Sequence, residues 1–87
     1  MKYNLLLTNK FDREFSRLEK KLQDRVVDGL KEIKENPYEG KPLKGKLKEM
    51  MSWRVGKYRI LYQIQGDKLL IIVITVEHRK HVYHRSS

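Results

Sequence analysis

Between Phe11 and Ile33, apolar residues return every three or four positions, at Phe11, Phe15, Leu18, Leu22, Val26, Leu30 and Ile33, with charged residues filling most of the places between. That spacing lines one face of an α-helix. Thr8 or Asn9 supplies a side-chain cap for the first free amides, and Asn36 followed by Pro37 ends the run. The stripe keeps its phase throughout, so periodicity alone permits one helix over residues 10–35. Such a helix would be roughly 39 Å long at 1.5 Å per residue. A globule of this chain length is roughly 31 Å across, judged from its expected radius of gyration. The chain is therefore expected to fold back near residues 20–23, with Asp24 capping a second helix, which makes an αα-hairpin.

Elsewhere the period is two, the signature of strands whose side chains alternate between faces. Residues 3–7 read as a short first strand. In residues 58–65, Tyr58, Ile60, Tyr62 and Ile64 fall on one side, which looks like core, and Arg59, Leu61, Gln63 and Gln65 on the other. Trp53 and Val55 share a side, so Trp53 reads as core, while Ser52 and Arg54 share the opposite one. In residues 69–79 one set holds Leu70, Ile72, Ile74 and Val76, and the other ends in Thr75, Glu77 and Arg79. Gly56-Lys57 and Gly66-Asp67 supply hairpin turns. Residues 36–48, NPYEGKPLKGKLK, have no apolar period and read as a surface loop. The order is βααβββ over a single domain, residues 1–87. This is an α+β fold in which the N-terminal helical hairpin packs on one face of a twisted, mainly antiparallel sheet.

Composition narrows the function. Lys and Arg number 20 against 11 Asp and Glu, a formal net charge of +9, and such a field draws polyanions, nucleic acid foremost. Arg54, Arg59 and Arg79 sit one to a strand on the polar faces. If those faces coincide they form a cationic surface suited to a phosphodiester; otherwise they are solvated arginines with no joint task. Lys41, Lys44, Lys46 and Lys48 in the loop are placed to reach a nucleic-acid backbone, or simply to keep the loop soluble. With no cysteine, a disulfide framework and thiolate chemistry are excluded. No apolar run approaches the ~20 residues of a membrane span, so a cytoplasmic location is expected. His78, His81 and His84 all fall in the last ten residues. Imidazole titrates near neutrality, which makes His81 and His84 candidates for proton transfer. His78 points away from Arg79 and is expected to be structural. No Cys or acid cluster supports zinc beside these histidines, so neither metal nor cofactor is expected.

Taken in order, the βαα start, NPYEGKPLKG, WRVGKYRILYQI and EHRKHVYHR, the chain resembles the RelE/ParE toxin superfamily, and specifically its RelE-like branch of ribosome-dependent mRNA endonucleases. The likeness is collinear over nearly the whole sequence. It implies a RelE-like toxin of a toxin-antitoxin pair that cuts mRNA in the ribosomal A site by metal-free 2′-hydroxyl attack. Its implied partners are the ribosome, mRNA and a neutralising RelB-like antitoxin. By the same resemblance Arg59 holds the scissile phosphate, Arg54 orients or activates the 2′-hydroxyl, Arg79 assists the leaving group and Tyr83 stacks on a codon base. Ser52 departs from the family pattern, which carries a second basic side chain there, and leaves the general base unassigned. A ParE-like gyrase inhibitor, or a relative that only binds RNA or antitoxin, is the alternative.

Overall fold

In the computed structural model, which describes residues 2–43 and 50–79, these residues form two α-helices against one five-stranded sheet. The elements are β1 (Asn4–Leu7), α1 (Asn9–Ser16), α2 (Lys20–Glu35), β2 (Lys41–Pro42), β3 (Met50–Val55), β4 (Tyr58–Gln65) and β5 (Leu70–His78). The sheet order is β1-β5-β4-β3-β2; β1 runs parallel to β5 and every other pair is antiparallel. The α+β class and the helical hairpin agree with the sequence reading. β2 is an addition: two residues of the expected loop pair with β3.

The helical stripe splits where the chain turns. Thr8 caps α1 by accepting the Phe11 amide at 3.1 Å, and its hydroxyl donates to the Ile74 carbonyl at 2.7 Å, so the cap also pins α1 to β5. The corner falls at residues 17–19, earlier than the pattern suggests, and Glu19 rather than Asp24 is the N-cap of α2. Asp24 lies inside the helix and pairs with Lys20 on its exposed side. The Gln23 side chain donates to the Phe15 carbonyl at 2.9 Å, an oxygen that also accepts the Leu18 amide at 3.1 Å, and so ties the first turn of α2 to the end of α1. No local sequence signal announces that bond.

Phe11, Val26, Leu30 and Ile33 from the helices meet Val55, Ile60, Tyr62, Ile71, Val73 and Val76 from the sheet, with Phe15, Leu18, Leu22 and Trp53 packed around them. All seven members of the helical stripe thus serve the core. In β5 the alternation differs from expectation. Thr75 pairs with Leu61 and Val73 with Tyr62, leaving Ile74 as an extra residue, a β-bulge that resets which side chains face inward. Ile71 and Val73 are fully buried in the core, and Val76 beyond the bulge is buried with them, so of the set Leu70, Ile72, Ile74 and Val76 only Val76 belongs there. The turn before β5 is also longer than Gly66-Asp67 alone: a 3₁₀ turn, Gly66–Lys68, closes through Leu69 at φ +50°.

β1 ends opposite Val73, so among the described residues the outer edge of β5 has no strand partner from residue 74 onward. Glu14 of α1 covers it. Its carboxylate accepts the Val76 amide at 3.3 Å, the Thr75 hydroxyl, and the Lys10 ammonium at 2.7 Å. Burial alone would raise the Glu14 pKa, but these donors outweigh it and hold the group below its ordinary value. A carboxylate with a depressed native pKa adds stability that is complete above its unfolded value and is lost as pH falls through the folded one. Glu14→Gln is therefore expected to destabilise the protein most at neutral pH, with the gap from wild type shrinking below about pH 4.5. Urea denaturation of both proteins between pH 7 and pH 3 checks this, and a gap that widens on acidification contradicts it.

Candidate nucleic-acid interface

Residues directly opposed on neighbouring strands point to the same face, so the register fixes what the side of the sheet away from the helices carries. One row runs Arg54, Arg59, Glu77 across β3, β4 and β5. The next runs Lys41, Ser52, Leu61, Thr75 from β2 to β5. Arg79 follows immediately after β5, two residues beyond Glu77, and its backbone amide donates to the Lys57 carbonyl at 2.8 Å. That bond ties the end of β5 to the hairpin turn between Arg54 and Arg59. The turn itself needs Gly56, which has φ +58°, the positive value that a two-residue hairpin of this kind demands at its first position.

Arg54 is exposed and Arg59 half-buried. The Arg59 Nε is buried with no hydrogen-bond partner among the described residues. Two cations directly opposite each other destabilise a sheet, and a buried guanidinium nitrogen without an acceptor costs more. An anion bound between the two arginines relieves the repulsion between them. Arginine suits a phosphodiester because its planar fork can pair two oxygens and its charge is permanent. Lys57, in the turn, is exposed beside them.

Lys41 reaches this face through Tyr62. The Tyr62 ring is fully buried, and its hydroxyl donates to the Pro37 carbonyl at 2.6 Å. Burial pushes that hydroxyl's pKa up to about 12, with a backbone hydrogen bond at Gly40 acting in the opposite sense. A Cβ on Gly40 would collide with the Tyr62 oxygen and crowd the Ser52 carbonyl at 3.1 Å, so only glycine lets the segment approach. Held this way, the chain after the 3₁₀ turn Pro37–Glu39 enters the sheet with Lys41 opposite Ser52. A cation thus occupies the row in which Ser52 offers none.

The sheet brings Arg54 and Arg59 together, sets Arg79 beside them and adds Lys41. His78 lies on the other side of β5, with its ring edge-on to Tyr58 at 5.0 Å, in keeping with a structural role. Tyr83, His81, His84, Lys44, Lys46 and Lys48 lie outside the described residues. Glu77 is the member of the surface that sequence reasoning passed over. Its parity with Arg79 was readable, but its register opposite Arg59 was not. Among the described residues, no three His, Cys, Asp or Glu side chains are grouped to hold a metal, and no helix is long and apolar enough to cross a membrane.

The model of the ParE toxin of the type II toxin-antitoxin system, parDE, matches residues 5–83. The chain belongs to the RelE/ParE superfamily of type II toxins. It is 30% identical over 87 residues to Toxin RelG of Mycobacterium tuberculosis, spanning 98% of this chain and 100% of that protein. Among solved structures, a chain of the toxin-antitoxin complex RelBE2 from M. tuberculosis superposes with a TM-score of 0.83 at 28% identity, covering 91% of this toxin and 100% of that chain. The intact E. coli RelBE complex gives 0.74 at 25%, covering 87% and 95%.

Because the Tyr62 hydroxyl holds the segment that carries Lys41, its removal is expected to loosen the toxin. Tyr62→Phe leaves the buried Pro37 carbonyl without its donor and should cost about 1 to 3 kcal/mol. Denaturant titration measures this, and a variant as stable as wild type would show that the hydroxyl does not fasten the segment.

Proposed function

We propose that this toxin is a ribosome-dependent endoribonuclease that cleaves mRNA in the ribosomal A site by metal-free attack of the 2′-hydroxyl, and so arrests translation. The observation that carries the reading is the Arg54–Arg59 pair in one cross-strand row, with the Arg59 Nε buried and without a partner among the described residues. Arg59 holds the scissile phosphate and stabilises the charge that builds on it, usually the dominant contribution to such catalysis. Arg54 orients the 2′-hydroxyl, Arg79 assists the leaving oxygen, and Lys41 with Lys44, Lys46 and Lys48 draws the backbone in. Tyr83 stacks on a base of the codon, as single-stranded RNA is commonly held. His81 and His84 are the imidazoles available for proton transfer.

A RelB-like antitoxin is the proposed protein partner. Related chains are found in RelB–RelE complexes, and a net charge of +9 favours an acidic wrapping partner. Charge complementarity mainly speeds encounter. The match to a ParE family model keeps gyrase inhibition as the second reading.

Primer extension on mRNA from cells expressing the toxin separates the two: cuts within translated codons are expected, and their absence in growth-arrested cells points to gyrase. Arg59→Ala and Arg79→Ala, if folded, should both relieve growth arrest. Full toxicity in both removes the arginine surface from the mechanism. For Tyr83, base stacking is worth ~1 to 3 kcal/mol per base, so Tyr83→Ala should lose roughly tenfold or more in cleavage, while Tyr83→Phe keeps most of it. Equal loss in both variants would assign the role to the hydroxyl instead.

A further inference from the structure

Arginine cannot serve as a proton acceptor at neutral pH, so the cationic face described above needs another group to take the proton from the attacking hydroxyl. Glu77 is the one carboxylate in the two cross-strand rows of described residues. It closes the row that begins at Arg54 and passes through Arg59, and strand geometry puts its Cβ about 4.5 to 5.5 Å from that of Arg59. Glu77 is half-buried. The ion pairs among the described residues are Lys10–Glu14 and Lys20–Asp24, so Glu77 lies beside Arg59, one strand further from Arg54, without being locked to either.

A carboxylate present only to neutralise Arg59 would be expected to close on it, leaving no free oxygen. Here the acid and the guanidinium stand directly opposite each other on neighbouring strands, with no ion pair between them. A phosphodiester held by Arg59 would carry its ribose on the strand next to the one that bears Glu77. Among the described residues, the charged groups around Glu77 are Arg59 from β4, Arg54 from β3, Lys57 in the turn between them and Arg79 beyond β5. From α1, Glu14 and Lys10 reach the β5 edge at Thr75 and Val76. His78 faces the other way, against Tyr58.

We propose that Glu77 is the general base of this toxin; the inference rests on the endoribonuclease reading. The ionised carboxylate takes the 2′-hydroxyl proton as the 2′-oxygen forms a bond to phosphorus. The bond from phosphorus to the 5′-oxygen breaks, leaving a 2′,3′-cyclic phosphate. The departing 5′-oxygen takes a proton from water, and the hydroxide so formed recovers the proton from Glu77. No net proton is gained or lost, and no redox partner is required.

The test is single-turnover cleavage of mRNA on programmed ribosomes across a range of pH, comparing wild type with Glu77→Gln and Glu77→Asp. Thermal melts and antitoxin binding confirm that each variant is folded. Glu77→Gln, the near-isosteric change, should lose ~10²- to 10⁴-fold in rate and the acid limb of the pH profile, while binding ribosomes at least as well because a negative charge has gone. Glu77→Asp should be slower than wild type but keep the acid limb. Glu77→Gln with a rate within about tenfold of wild type at every pH, or one that is slow but keeps the acid limb, overturns the assignment and leaves the nuclease reading standing. Wild-type toxin that stops growth but cuts no mRNA overturns the nuclease reading, and this inference with it.

Discussion

The cross-strand register of β3, β4 and β5 is the constraint on which the rest of the toxin depends. A slip of one residue in any of these pairings would exchange faces and send arginines into the core and valines to the surface. Ile60 and Tyr62 of β4 fix the register from inside, because both are fully buried against the helices. Arg59 and Leu61 are carried to the opposite face by the same backbone. Core and candidate site are therefore two sides of one strand, and the packing that stabilises the first positions the second.

The bulge at Ile74 is what lets β5 serve both ends of that arrangement. Without the extra residue, strict alternation would put Val76 on the face opposite Ile71 and Val73. With it, all three stay in the core, while Thr75 and Glu77 come into register with Leu61 and Arg59. A bulge interrupts the ladder and leaves backbone groups to be satisfied elsewhere. Here Thr8 takes the Ile74 carbonyl and Glu14 takes the Val76 amide. α1 thus repairs the strand that the bulge disturbs, which explains why a short helix of eight residues is bound to β5 by polar contacts as well as by Phe11.

On the outer face the balance is different. Arg54 opposite Arg59, with a buried guanidinium nitrogen unmatched among the described residues, is a poor arrangement for stability alone. Departures from local optimum of this kind gather at functional sites, where a ligand supplies what the fold withholds. The Tyr62 hydroxyl, gripping the Pro37 carbonyl from inside the core, sets the far edge of the same surface by fixing where Lys41 enters the sheet.

The sequence by itself determined the class of fold, the buried stripe and the order of the main strands along the chain, because each is written in a local period, while chain length split the stripe into two helices. Arg54 and Arg59 were readable as outward-facing from alternation alone. Tertiary structure decided the rest. The corner between the helices depends on Gln23 reaching Phe15, the inward set of β5 on a bulge matched to β4, the place of Lys41 on a tyrosine 21 positions away, and the meeting of Glu77 with Arg59 on strand register. Each of these is a contact between separate elements, eight or more positions apart along the chain, and periodicity carries no information about which residue of one strand lies opposite which residue of the next.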